Sequence, residues 1–210
     1  MHKTRREWRF IRQKRRDEFV FGSTDRASVI AELVGGPDLR VLDLGCRTGA
    51  LTQHFAAGNR VTGLDVDHEA LERARERLGI DTVWGNVEEG LPFAEATFDV
   101  VVAGELLEHL AMPKSVVDEA RRVLAPGGRF VGSVPNAFRL KSRLRFAAGR
   151  HPETDPTHLQ LFTPAALRAL LSDFESVEVR FAVGRYVRLQ PRLMARSMVF
   201  AARTVEPLSP

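Results

Sequence analysis

Short apolar runs alternate with helix-patterned segments along this chain, and the alternation leaves few folds open to it. Residues 39–44, 60–64, 81–85, 98–103, 129–134, 177–183 and 198–203 read as strands. Helices are predicted at 49–57, 67–78, Met112 to Leu124 and Pro164 to Leu171, with an earlier one capped by Asp25 and running to Leu33. Gly35-Gly36-Pro37 breaks the chain before the first strand. Strand and helix in turn, joined by a few residues, predict parallel strands covered by helices on both faces, an α/β doubly wound sheet.

Within that frame, Val41-Leu42-Asp43-Leu44-Gly45-Cys46-Arg47-Thr48-Gly49 turns from a buried strand towards a helix, and Leu64-Asp65 ends the next strand in an acid. Ligands collect at the carboxyl ends of such strands, where missing side chains let them lie on the backbone. Asp65 is placed to accept both hydroxyls of a ribose. The spacing is Gly-x-x-x-Gly, and Arg47 stands where a pyrophosphate would want bare backbone. Asp43 adds negative charge, which repels phosphate and suits a cationic ligand. The residues therefore favour S-adenosylmethionine, a nucleoside carrying an ammonium and a sulfonium.

Further segments fall in one order. Gly85-Asn86-Val87-Glu88 with Leu91-Pro92-Phe93 follows the third strand, Phe98 to Ala103 forms the fourth, and Leu124-Ala125-Pro126-Gly127-Gly128-Arg129-Phe130 opens the fifth. In this the chain resembles the class I S-adenosylmethionine-dependent methyltransferases over roughly residues 25–205. The resemblance implies a Rossmann-like, seven-stranded, mostly parallel sheet with the last strand antiparallel. It implies cofactor contacts at Asp43, Gly45, Cys46, Gly49, Asp65, Val66, Asn86, Val87 and Ala103. Arg47 replaces a usual glycine and Asn86 a usual aspartate; the amide oxygen of Asn86 can still accept from an adenine amino group.

With 210 residues the chain fits one domain: a basic arm at 1–20, then a methyltransferase domain at 21–210 with a substrate-side insertion at about 135–158. No apolar run approaches a membrane span or a signal peptide, so a cytoplasmic location is expected. Cys46 is the one cysteine, which excludes a disulfide framework and a thiolate zinc cluster; it reads as a small spacer in the turn. Charge is uneven. Residues 1–20 hold eight Lys/Arg against three Asp/Glu, 21–120 eight against eighteen, and 121–210 fifteen against six. Basic flanks attract an anionic substrate, a nucleic acid or an anionic membrane, although exposed helices also carry charge with no partner.

Chemistry-bearing residues follow the fourth strand in Glu105-Leu106-Leu107-Glu108-His109. If a helix starts there, Glu105, Glu108 and His109 share one face. His158 adds a second imidazole, and Glu105, Glu108, His109 and His158 together would suit magnesium or manganese. The set is similar to that of the ubiquinone-pathway O-methyltransferases and the small-RNA 2'-O-methyltransferases. The alternatives are a metal-free general base, His158 or His109 with Glu105, or plain capping of a following helix. Asn136 reads as a turn residue or an orienting one, and Trp84 as packed beneath the sheet. His54, His68 and His151 read as solvent-facing.

The expected activity is methylation of a hydroxyl on a small acceptor, anionic or lipid-linked. Three other readings stand beside it. One is an RNA 2'-O-methyltransferase, with Trp8, Phe10 and the cations Arg139, Lys141, Arg143 and Arg145 tracking phosphates. Another is a cofactor-binding partner subunit that performs no transfer. The last is peripheral membrane contact through residues 138–148.

Overall fold

The computed structural model describes residues 23–152, 155–184 and 189–206. The basic arm with Trp8, Phe10 and Ile11 lies outside the described residues. A single seven-stranded sheet runs through the described part in the order β3-β2-β1-β4-β5-β7-β6. The strands are β1 Arg40–Leu44, β2 Arg60–Asp65, β3 Asp81–Trp84, β4 Phe98–Gly104, β5 Leu124–Pro135, β6 Ser176–Ala182 and β7 Ser197–Arg203. Strands β1 to β5 pair in parallel, whereas β7 runs antiparallel to both β5 and β6. Helices α1 Ser23–Val34, α2 His68–Leu78, α3 Pro113–Val123, α4 Leu140–Ala147, α5 Pro164–Leu170 and α6 Pro191–Met194 connect them. No described helix is long and apolar enough to cross a membrane.

The period of two along each strand divides the core between the sheet's faces. Val41, Val61, Val100, Val102, Val131 and Val199 face α1 and α2, packing with Ile30, Val34 and Ala74. Their neighbours Leu42, Leu64, Val101, Phe130 and Phe200 face the other way, packing with Val117, Ala120 and Val123 of α3 and with Leu167 of α5. Each such side chain contributes roughly 1.5–3 kcal/mol by leaving water. Two covered faces explain why the central strands carry continuous apolar runs.

Several sequence expectations are corrected here. Residues 49–57 form no α-helix but a turn with one 3-10 segment, Thr52–His54. Buried Thr52 is held down on β1 through its bond to Asp43, which fixes the segment between Gly49 and Gly58 against the sheet. Helix α1 starts at Ser23, two residues before the start expected at Asp25. Strand β5 starts at Leu124 because the pairing with β4 shifts register between Phe98 and Val100, absorbing the Pro-Gly-Gly segment into a continuous strand. Trp84 does not pack beneath the sheet: β3 is an edge strand, and the indole is 55 % exposed, stacked on His68 at 5.1 Å.

Candidate active site

The loop after β1 is wound tightly at the carboxyl edge of the sheet. Gly45 and Gly49 have φ of +70° and +73°, and Arg47 between them has φ of +50°. Gly49 is favoured by its backbone conformation, and a Cβ there would also have to displace Leu78 Cδ1, 2.5 Å away. Arg47, at the usual glycine, adopts the glycine's backbone conformation. Gly45 N–H donates to the Leu64 carbonyl at 2.8 Å, fastening the loop to β2.

Asp65 closes the same edge. Its Oδ2 accepts from Arg47 N–H at 2.9 Å and its Oδ1 from Asp67 N–H at 2.9 Å. Burial raises the carboxyl above its ordinary range, and the two backbone bonds pull it back down. Asp43 is buried and accepts from the Thr52 hydroxyl at 2.6 Å. Burial pushes its carboxyl up to about 7, against the pull of the Thr52 bond, with the Asp65 charge adding to the rise. The constant negative charge expected at Asp43 is therefore replaced by a group that titrates near neutrality. Cys46 is buried with its Sγ 2.6 Å from where a Cβ on Gly63 would sit, and burial raises its thiol well above the usual range. A reactive thiolate is excluded by those surroundings.

Val66 at the end of β2 is 55 % exposed, and its carbonyl accepts from Trp84 Nε1–H at 3.0 Å. Val87 is buried in the 3-10 turn Val87–Glu89. Asn86 caps that turn: its Oδ1 accepts from Glu88 N–H at 3.1 Å and its Nδ2–H donates to Glu89 at 3.0 Å. Its amide is thus engaged with its own turn, with one lone pair of its Oδ1 left over. Ala103 is fully buried within the core, a packing residue and not a lining one. The loop is held from behind by α3, where Glu119 accepts from Leu91 N–H at 2.9 Å and Arg122 donates to the carbonyls of Phe93 and Leu91.

Beyond β4 the chain takes a sharp bend. Glu105 has φ of +53°, and residues 107–109 form a 3-10 turn, so the i, i+3, i+4 face expected for Glu105, Glu108 and His109 does not form. Glu105 pairs instead with Arg26 of α1 at 3.1 Å. It stands outside the metal-ligating and catalytic set in which sequence placed it. Glu108, His109 and His158 do come together, with ligand atoms within 4.8 Å of one another. Glu108 is 1 % exposed, and its Oε1 lies 4.0 Å from Nε2 of each histidine. The rings meet edge to face at 4.8 Å. His109 Nδ1 lies 3.1 Å from the Thr157 carbonyl, which directs its Nε2 towards the cluster. The 157–160 segment is stitched to the turn, since Leu159 and Gln160 N–H both donate to the Glu108 carbonyl.

Two members escaped sequence reasoning. Asp155 Oδ2 lies 3.6 Å from His158 Nε2, a partner whose only signal is its place three residues before His158. Arg26 is 6 % exposed, with no hydrogen-bond partner for its Nε, beside Glu105 at the end of β4. Leu106, the residue between the two clusters, sits 3.2 Å from where a Cβ on Gly45 would be, so loop and cluster adjoin. Asn136 is a turn residue, its Oδ1 accepting from Phe138 N–H at 3.3 Å, and its Nδ2–H also donates to the carbonyls of Arg192 at 2.9 Å and Ala195 at 3.1 Å, tying the end of β5 to α6.

Residues 42–132 match the family described as a methyltransferase domain. The chain is 38 % identical over 133 residues to a probable S-adenosylmethionine-dependent methyltransferase of Mycolicibacterium smegmatis, an overlap of 62 % of this chain and 49 % of that protein. Over 118 residues it is 39 % identical to a ubiquinone biosynthesis O-methyltransferase of Klebsiella pneumoniae, covering 53 % of this chain and 49 % of the relative. The chain spans about half the length of the curated relatives it matches. Its fold is that of a SAM-dependent methyltransferase from Archaeoglobus fulgidus, with TM-score 0.72 and 16 % identity over 94 % of this chain and 99 % of the other.

Proposed function

We propose, from the chain's place in the class I S-adenosylmethionine-dependent methyltransferase superfamily, to which it belongs, that it methylates a hydroxyl of a small-molecule acceptor. The observation that carries this reading is the Glu108–His109–His158 cluster, built on a buried Glu108 with Asp155 at its side, next to the glycine loop.

The residues present fit the donor. Asp65, already fixed by two backbone bonds, keeps lone pairs for the ribose hydroxyls. Arg26, a buried guanidinium with an unpartnered Nε, would hold the amino-acid carboxylate. Asp65 supplies negative potential that favours its cationic centres, and Asp43 adds to it once ionised above about pH 7. When bound, the donor supplies a methyl carbon made electrophilic by its sulfonium.

What remains for the protein is alignment and the acceptor's proton. An alcohol attacks poorly until that proton leaves, and we assign its removal to His158, whose Nε2 faces Asp155 and Glu108. Asp155 at 3.6 Å and Glu108 at 4.0 Å would stabilise the imidazolium that forms. His109, oriented by Thr157, packs against that ring. A second reading, favoured by the 4.0 Å spans, seats magnesium or manganese among Glu108, His109 and His158. Donors at about 2.0–2.2 Å from an ion lie roughly 4 Å apart at most, so these atoms, up to 4.8 Å apart, would have to draw together around it. Such an ion would lower the acceptor's pKa.

The test is calorimetry with S-adenosylhomocysteine, then a methyl-transfer screen over hydroxyl, amine, carboxyl and RNA acceptors with and without chelator. Binding is expected, with transfer to hydroxyls, and His158→Ala should lower kcat by roughly 10²–10⁴ with donor affinity kept. Chelator loss restored by manganese would select the metal reading. Binding without transfer to any acceptor would mark a cofactor-binding partner subunit instead, and transfer to amines or RNA alone would overturn the acceptor class.

A further inference from the structure

Helix α4 leaves the carboxyl end of β5, at the edge where the candidate site lies. Within it only Ser142 is buried, while Leu144 and Phe146 are 62 % and 71 % exposed, with Leu140 and Phe138 exposed beside them. A water-facing helix ordinarily spends its leucines and phenylalanines on the core, and a cluster left outside marks a contact surface. Interleaved with these are Arg139, Lys141, Arg143, Arg145 and Arg150, and no Asp or Glu occurs between Glu119 and Glu153. Between α4 and α6 runs a groove of about 460 Å³, lined by Arg139, Lys141 and Arg145 together with Leu144, Leu193 and Met194.

We propose that α4 and α6 form a docking face for an anionic lipid bilayer. Charge selects the occupant. The five cations with no intervening acid are complementary to anionic headgroups, whereas the chain's own arm at 1–20, with eight Lys/Arg against three Asp/Glu, is of the same sign. The apolar part selects between anions. Nucleic acid is met by cations with stacking rings, which Phe138 and Phe146 could supply, but it has no use for Leu144, Leu193 and Met194, whereas the acyl boundary of a bilayer takes up rings and aliphatic side chains alike beneath a basic rim. Local bonds hold the helix in its presentation: Arg143 Nε–H donates to the Phe138 carbonyl at 2.8 Å and Arg145 Nε–H to that of His151 at 3.2 Å. Docking would bring the carboxyl edge of the sheet against the membrane, where an acceptor carried by lipid is reached without leaving it. That last consequence rests on the methyl-transfer reading; the docking itself does not.

The test is co-sedimentation of the full chain with vesicles of phosphatidylcholine alone and with roughly 30 mol% phosphatidylglycerol. Binding is expected to the anionic vesicles only, and to fall at about 0.5 M salt. Leu144→Ser with Phe146→Ser should lower the partition coefficient at least about tenfold, and Lys141→Glu with Arg150→Glu should abolish it. All four side chains are exposed, so unchanged thermal melts separate lost docking from lost folding. No sedimentation with anionic vesicles at low salt overturns the proposal, as does wild-type partitioning of both double variants. Binding of single-stranded RNA that competes the protein off vesicles and survives the Leu144/Phe146 change would overturn it in favour of nucleic acid. Donor calorimetry on the same variants should be unchanged, so failure of docking and failure of the methyl-transfer reading are told apart.

Discussion

Asp43→Asn tests the electrostatics of the berth. Burial raises the Asp43 carboxyl from an ordinary 3.8 to about 7. Between those values the folded chain holds a proton that the unfolded chain has released, so stability falls as pH rises through that window, and above about 7 the loss is complete. At about 1.36 kcal/mol per unit the full difference is about 4 kcal/mol. Asparagine keeps the acceptor that Thr52 Oγ1 uses at 2.6 Å and nearly the same volume, but it cannot ionise. Urea unfolding of both proteins between pH 4 and pH 8.5 should therefore give similar stabilities at the acid end. The variant's advantage should grow to about 4 kcal/mol at the alkaline end, with equal m-values. Donor affinity should move oppositely, rising through neutrality in the wild type and remaining low and flat in the variant. A variant whose pH profile parallels the wild type, or which is the less stable protein at pH 8, would refute the claim that this carboxylate is destabilising when charged.

Asp65→Ala should weaken the donor by roughly 100-fold in calorimetry, the worth of two charge-assisted hydrogen bonds in a half-wet site. Gly49→Ala should cost about 1–3 kcal/mol in urea unfolding, because φ of +73° disfavours alanine and Leu78 must move aside. Glu119 is held down to about 2, first by its bond to Arg122, so its stabilisation is present above the ordinary 4.5 and is lost as pH falls towards 2. Glu119→Gln should then be less stable by about 2 kcal/mol at pH 7, a gap that closes below pH 4.5. Cys46, buried with a raised thiol, should react with an aromatic disulfide reagent only at the rate of unfolding.

The sheet was legible because Val41, Val61, Val100, Val102 and Val131 carry a period of two that burial on both faces demands. The loop after β1 was legible for a related reason, since Gly45 and Gly49 are the residues a left-handed backbone prefers. Where sequence failed, a long-range contact decided. A helix through 49–57 loses to one hydroxyl seated on Asp43, which no local pattern records. Glu105 leaves the ligand set because α1, eighty residues earlier by rough count, brings Arg26 to it and because the bend after β4 breaks helical spacing. Asp155 was overlooked because its partnership with His158 exists only once the 157–160 segment is fastened to Glu108. Helix α4 was the reverse case, an imperfect stripe on paper that folds as a helix with its apolar residues outside.

The half-exposed indole stacked on His68 and hydrogen-bonded to the Val66 carbonyl makes the protein its own optical sensor. Trp84 touches the residue that follows Asp65, so a sugar settling on that carboxylate alters the polarity around the ring and with it the colour of its emission. In a Trp8→Phe variant, a titration read at the red edge of tryptophan fluorescence would then follow occupancy without any label.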